Sequence, residues 1–251
     1  MSAASARIPS RWIAPDWPAP ARVRSVITTR RGGGSRGAFA SFNLGAHVGD
    51  DGAAVAHNRR ELRRYLPEEP LWLRQVHGAR AIDADGETEE TEADAAVTRC
   101  RGRVLAALTA DCLPVLLCDD AGTVVGIAHA GWRGLAAGVI ESAVAAMRVA
   151  PERLLAYLGP AIGARAYEVG PEVRAAFADC SADAAQAFRA RGQGKFLADL
   201  GMLARQRLKR LGVPRVHGGA HCTYADGERF FSFRRDGATG RMASLIWLER
   251  E

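Results

Sequence analysis

Three short polar clusters end apolar runs in the middle of the chain: Gln75-Val76-His77-Gly78, Thr109-Ala110-Asp111-Cys112-Leu113-Pro114 and Ala128-His129-Ala130-Gly131-Trp132-Arg133-Gly134. Each sets a ligand-type side chain where a strand gives way to a loop, and a rigid scaffold usually presents its site at such places. Two imidazoles and one thiolate, from His77, Cys112 and His129, are a donor set for zinc: the ion takes nitrogen and sulfur, and three protein ligands leave a fourth position for water or substrate. Copper also suits these donors. The separations of 35 and 17 residues are not the compact spacing of a zinc finger, so residue type rather than distance carries the pattern. The same atoms also suit a Cys–His nucleophile, with His129 or His77 as base for Cys112 and Asp111 orienting the imidazole. Spacing does not separate a thiolate ligand from a thiolate nucleophile, and each residue taken singly also fits a packed core.

Other clusters suit anions. Gly131-Trp132-Arg133-Gly134 leads into a helical pattern, where free N–H groups and glycines favour a phosphate, with the Arg133 fork as an added charge. The segment Phe230-Phe231-Ser232-Phe233-Arg234-Arg235-Asp236-Gly237 continues to Thr239-Gly240-Arg241, and its three arginines suit an anionic group or an Arg–Asp surface turn. Near the N-terminus, Arg30 and Asn43 flank the glycine-rich 31–37 loop, an arrangement that suits a substrate lid or ordinary turn chemistry.

The elements that must position these side chains follow from hydrophobic periodicity. Strands are expected over 23–28, 71–76, 104–109, 115–118, 124–128, 154–158 and 244–248, and helices over 53–66, 135–149, 171–178, 182–191 and 197–211. The acidic stretch 83–94 reads as a solvated loop, and 31–37 and 189–195 read as further loops. Strands and helices mix without steady alternation, so the fold class is α/β, with mixed β-sheets flanked by helices. No repeat or linker divides the 251 residues. A single domain over 23–251 is expected, with 1–22 as an N-terminal extension.

Composition removes several classes. Apolar residues make up 48% and charged residues 25%, ordinary globular usage rather than disorder. The net charge is +6, but its arginines are dispersed among acids, without the clustering of a nucleic-acid or membrane footprint. No apolar run approaches the ~18 residues of a membrane helix, and 1–24 has no apolar segment typical of a signal peptide. Five cysteines, an odd count in a chain of this size, point to reduced thiols and a cytoplasmic location.

Nearly the whole chain, from about Thr28 to Leu248, resembles the YfiH-like family, also described as multicopper polyphenol oxidase or laccase-domain proteins and as purine nucleoside phosphorylases. The matching stretches, in order, are TTR with GGG, SFNLGAHVGDD, the pair Asn58-Arg59, LRQVHG, ADAAVT, LTADCLPVLLCD, AHAGWRG, LGPAIGARAYEVG, HCTY and FFSFRRDGATGRMASLIWL. Phe42 stands where the family usually has Leu. The resemblance implies a mixed α/β fold with two sheets and a zinc site at His77, Cys112 and His129. It also implies phosphorolysis of adenosine, inosine and S-methyl-5′-thioadenosine, with adenosine deamination as a second activity. A copper laccase fits poorly, because six His and five scattered Cys hardly build several copper sites. On this basis Arg59, Arg133, Arg234 and Arg235 are candidates for phosphate and Asn43 for the nucleoside. Cys112 and Asp111 are catalytic candidates, Asp111 orienting a metal ligand from behind. The expected partners are a purine nucleoside and phosphate, with no nucleic acid, membrane or protein partner. A cysteine hydrolase or deamidase using Cys112 and His129, and a non-enzymatic binding module, remain as alternatives.

Overall fold

Strands that are apolar at every position need cover on both faces, and that requirement shapes this molecule. The computed structural model describes residues 8–86, 91–178 and 182–250. Along them run β1 (Val23–Ile27), α1 (Gly52–Arg63), β2 (Leu71–Trp72), β3 (Ala81–Asp83), β4 (Ala95–Thr98), β5 (Leu105–Thr109), β6 (Leu113–Asp119) and β7 (Val125–Ala130). There follow α2 (Trp132–Ala137), α3 (Val139–Met147), β8 (Leu154–Leu158), β9 (Glu168–Val169), α4 (Pro171–Ala178), β10 (Phe188–Gly192), β11 (Lys195–Ala198), α5 (Leu200–Arg210), β12 (Arg215–Gly218), α6 (Phe233–Asp236) and β13 (Met242–Leu248). The strands form a six-stranded sheet ordered β12-β8-β6-β7-β4-β3, a four-stranded sheet ordered β1-β13-β5-β2, and a small sheet β10-β11-β9.

Alternation along each strand assigns its two faces. On the six-stranded sheet, Leu116, Ile127 and Leu155 meet Leu105, Ile246 and Leu248 of the four-stranded sheet in one buried cluster. Val115, Leu117 and Ala128 point the other way, against Ile140 and Met147 of α3 and Leu203 and Leu208 of α5. The outer face of the four-stranded sheet, with Leu108, Leu245 and Trp247, is covered by Trp12, Phe42, Leu44 and Leu62 of α1. The layers are therefore helix, sheet, sheet, helix. Ahead of β1, Ile13 pairs with Ile27 and Trp12 is buried. No described helix is long and apolar enough to cross a membrane.

This is the mixed α/β architecture expected, with several local differences. The helix expected over 135–149 is two helices, broken at Gly138, whose φ of +97° suits glycine. The helix expected over 182–191 is a 3-10 turn, Ala182–Ala187, followed by β10, and the loop expected over 189–195 is mostly strand, with only Gln193 and Gly194 between β10 and β11. Gly192, Gln193 and Gly194 all take positive φ there. The helix expected from 197 starts at Leu200, because Asp199 caps it by accepting from the Met202 N–H at 2.8 Å. The strand expected over 71–76 stops at Trp72, freeing 75–78 for a loop.

The 31–37 loop is anchored rather than free. Gly32 and Gly33 donate to Ser41 Oγ, and Gly34 donates to Asn58 Oδ1. A Cβ at Gly33 would sit 2.3 Å from the Ser41 carbonyl.

The core between the two sheets yields a direct expectation. Leu116 is fully buried there, so Leu116→Ala costs about 2–5 kcal/mol. In urea unfolding the midpoint drops with an unchanged slope; a midpoint within error of the parent would contradict the two-sheet packing.

Candidate metal centre

One end of the six-stranded sheet gathers three chain segments. Because β6 and β7 are antiparallel, with Pro114 opposite His129 and Leu113 opposite Ala130, the start of β6 lies beside the end of β7. Because β4 and β7 are antiparallel, with Ala95 opposite Ala128, the start of β4 lies there too. Cys112 immediately precedes β6, His129 is the penultimate residue of β7, and Asp94 immediately precedes β4. His77 comes in on the loop after β2.

The ligand atoms of His77, Cys112 and His129 all lie within 4.8 Å of one another, and His77 Nε2 is 3.8 Å from Cys112 Sγ. The imidazoles stand edge to face with centroids 4.8 Å apart. His129 is buried, Cys112 half-buried and His77 exposed, so the trio opens outward through His77. Gly131 sits across from the thiol, and a Cβ there would lie 2.8 Å from Cys112 Sγ and 3.1 Å from His77 Cδ2. Only a residue without a side chain leaves the three donors room to converge.

Asp94 holds this arrangement, and the acidic stretch expected to be a solvated loop ends instead in a buried carboxylate, 1% exposed. Asp94 Oδ1 faces His129 Nδ1 at 2.8 Å. The same carboxylate accepts the backbone N–H groups of Val76 (3.1 Å), His77 (3.0 Å) and Gly78 (2.7 Å). Its own carbonyl accepts from His129 N at 2.7 Å. One side chain thus orients one imidazole directly and fixes the loop that carries the other. With Nδ1 engaged, His129 presents Nε2 to the site. His77 sits at φ +61°, a strained value that three anchored amides hold in place.

Electrostatics follow from these contacts. Burial opposes ionisation of Asp94, but His129 and the backbone donors outweigh it and keep the carboxyl below its ordinary range. Burial also pushes the Cys112 thiol up, yet the facing His129 and His77 prevail and bring it down to about 6. For His129 burial favours the neutral ring, while the Cys112 thiolate and Asp94 raise it. Two imidazole nitrogens and one low-pKa sulfur, with an open side, fit a zinc ion and also suit copper. Among the described residues this is the one group of three such donors that converges. Cys118, by contrast, is buried beside Asp119 and pushed up to about 12, which leaves it inert. Cys180 lies outside the described residues.

The other expected site residues divide into two groups. Asp111 is next to the thiol at φ +99°, but it does not bond to His129. Its carboxylate accepts from Thr223 Oγ1 at 2.6 Å and from the Arg234 backbone N–H at 2.7 Å, so the orienting role expected of it belongs to Asp94. Arg234 stacks over Tyr167 at 5.1 Å. Arg133, exposed on α2, stacks over Trp132 at 4.5 Å. Tyr167 is a residue sequence reasoning passed over: it is buried under the Arg234 guanidinium, and burial raises its hydroxyl pKa while the charges of Cys112, Arg234, Arg133 and Asp111 act on it. A cleft of about 340 Å³ lined by Arg165, Glu168, Arg191, Tyr224 and Arg234 adjoins this group.

The remaining candidates are committed to the fold. Arg235 donates to the Thr223, Tyr224 and Phe230 carbonyls and twice to Asp236, which uses all five of its N–H donors. Arg59 donates to the Leu44 carbonyl and lies 4.2 Å over Trp72, outside the four-stranded sheet. Asn43 donates to Gly45 O and Asp50 Oδ2 and accepts from the Gly45 and Arg241 N–H groups. Its amide is fully occupied within the protein.

Two measurements check this geometry. Asp94→Asn removes the anionic anchor of His129 and weakens zinc binding ~10- to 100-fold in competition against a chelator; an unchanged affinity would show that His129 needs no such anchor. In metal-free protein, the alkylation rate that disappears in Cys112→Ala should fall as pH drops through about 6. A midpoint at the ordinary thiol value of ~8.5 would mean that His129 and His77 do not act on the sulfur.

Comparisons with known proteins agree with this architecture. The family model described as multi-copper polyphenol oxidoreductase laccase matches residues 24–249. A Pseudomonas aeruginosa protein named purine nucleoside phosphorylase PA4543 is 53% identical over 239 residues, 95% of this chain and 98% of its own. The Escherichia coli protein named purine nucleoside phosphorylase YfiH is 52% identical over 242 residues, 95% of this chain and 99% of its own. The crystal structure of Neisseria meningitidis protein NMB0706, assigned to the family DUF152, superposes with a TM-score of 0.93 at 53% identity, covering 96% of this chain and 100% of that one. With the fold, the His–Cys–His cluster and full-length identity above one half in agreement, the chain belongs to the YfiH-like, multi-copper polyphenol oxidoreductase laccase family.

Proposed function

We propose that the protein is a zinc-dependent purine nucleoside phosphorylase. It would act on adenosine, inosine and S-methyl-5′-thioadenosine, with adenosine deamination as a second activity at the same centre. The single observation that carries this is the convergence of His77, Cys112 and His129 beside a group of polar and cationic side chains, Tyr167, Arg133 and Arg234. The relatives named purine nucleoside phosphorylase support the substrate class. A laccase needs several copper ions, and the described residues gather one donor group of three.

In phosphorolysis an oxygen of HPO₄²⁻ bonds to C1′ of the ribose while the C1′–N9 bond breaks. The electron pair leaves with the purine, which takes up the phosphate's proton. Positive charge develops on the sugar, and negative charge develops on the base, so the site must hold an anion on one side and stabilise the departing base on the other. A zinc ion held by His77, Cys112 and His129 would supply Lewis acidity toward a substrate atom and, for deamination, lower the pKa of a water toward ~7. Asp94 orients the His129 imidazole and holds the loop that carries His77. Asp111 ties the Arg234 backbone and Thr223 to the residue before the thiol, so the α6 segment and the centre stay in register. Arg133 and Arg234 offer exposed positive charge at the rim. Residues 23–251 form the catalytic domain in this account and 1–22 an extension, and the free thiols suit the reducing cytoplasm.

A second reading has one specific observation behind it. Cys112, His129 and Asp94 stand in the order nucleophile, base and orienting carboxylate, which suits a cysteine hydrolase or deamidase. His77, converging on the same sulfur, has no role in that chemistry and favours the metal centre.

The deciding experiment incubates zinc-loaded protein with adenosine, with and without phosphate, and separates bases and sugars by chromatography. Phosphate-dependent adenine together with ribose-1-phosphate is expected, and accompanying inosine would report deamination. No adenine from protein that carries its metal would overturn the phosphorylase. Turnover in metal-free protein that alkylation abolishes would establish the cysteine hydrolase. Cys112→Ala should lose both metal and activity.

A further inference from the structure

Arg241 is built as a half-buried cation with donors to spare. It immediately precedes β13, and the first pair of that strand, Met242 with Thr109, sets it beside the chain that continues through Ala110 to Asp111 and Cys112. Its backbone is pinned on both sides: its N–H donates to Asn43 Oδ1 at 2.8 Å, and its carbonyl accepts from the Leu44 N–H at 3.2 Å. Gly45 makes room for the side chain, since a Cβ there would lie 2.8 Å from Arg241 Cγ. Nη1 donates to the carbonyls of Thr239 (2.9 Å) and Gly240 (3.1 Å), which fixes the plane of the guanidinium. Nε and Nη2 donate to nothing among the described residues.

Those two nitrogens share one edge of the guanidinium, the edge that meets two oxygens of an oxyanion in a bidentate pair. The exposed ring of Phe233 lies 6.0 Å from Cζ. The pairing of Met242 with Thr109 puts Arg241 at the end of the four-stranded sheet from which the chain runs through Asp111 to Cys112. The arginines singled out by sequence differ: Arg235 has no donor left, Arg59 stacks in another layer, and Arg133 and Arg234 are exposed.

We propose that the free edge of Arg241 binds the oxyanion co-substrate, inorganic phosphate, at the metal centre, an assignment that rests on the phosphorylase reading. Asn43 and Gly45 are then positioning residues: one holds the Arg241 backbone and the other clears its side chain. The sequence candidate for the nucleoside thus acts on the anion side, through Arg241.

The test uses zinc-loaded full-length protein and inorganic phosphate as probe, with two readouts. Calorimetry gives phosphate affinity directly, and initial rates give separate KM values for phosphate and adenosine. Arg241→Gln should weaken phosphate binding and raise its KM ~10- to 100-fold, with zinc content and the KM for adenosine near the parent. Arg241→Lys, which keeps charge but loses the fork, should fall between. Gly45→Ala, which leaves every donor in place, should shift the phosphate KM in the same direction. Parent turnover with phosphate, and an unchanged phosphate KM in both Arg241 variants, overturns the assignment while leaving the phosphorylase standing. Phosphate binding lost in Arg241→Gln upholds the anion site even if the parent shows no phosphorolysis. A parent that neither binds nor consumes phosphate overturns both.

Discussion

A buried carboxylate facing an imidazole at 2.8 Å is the contact on which this molecule's site depends. Asp94 is almost fully enclosed, and a charge in such a place survives only with full compensation. Compensation comes from His129 and from three consecutive backbone N–H groups at 76–78. That requirement ties together the start of β4, the end of β7 and the loop after β2. A single desolvated group therefore acts as a scaffold: it orients one imidazole and holds the other histidine's backbone in place, with the sulfur within 4.8 Å of both.

The same logic explains why the surrounding glycines are where they are. Gly131 faces the sulfur with no Cβ, and a Cβ at Gly134 would lie 2.7 Å from the Gly78 carbonyl. The loop after β2 therefore packs directly on the turn into α2. Two sheets packed face to face give this end of the fold its rigidity, because β6 and β7 are buried on both sides and transmit little slack. Preorganisation of this kind is what charge-stabilising catalysis needs.

Much of this was legible in the sequence, for a physical reason. His77, Cys112 and His129 each lie at the end of an apolar run, and the strands β5, β6, β8 and β13 are apolar at nearly every position, so their existence follows from hydrophobicity. Asp94 was not legible. It closes the acidic run 83–94, which composition assigns to solvent, and only the pairing of β4 with β7 brings it inside. The short strands β3, β9 and β12 have no apolar period to detect, and the alanine-rich 182–191 segment has helical propensity that the β10–β11 hairpin overrides. Arginines were the hardest to sort by sequence. Arg235 and Arg241 lie six residues apart in one motif, yet one spends every donor on carbonyls and a carboxylate while the other keeps an edge free. That difference lies in carbonyl positions, which residue type does not encode.

X-ray absorption at the zinc edge of the reconstituted protein tests the central claim most directly. The convergence of His77, Cys112 and His129 predicts one sulfur at ~2.3 Å and light-atom scatterers at ~2.0–2.1 Å that include two imidazoles, with the sulfur contribution lost in Cys112→Ser. A zinc shell without sulfur, or an unaltered shell in that variant, would show that the cation sits elsewhere and that Cys112 serves as something other than a ligand.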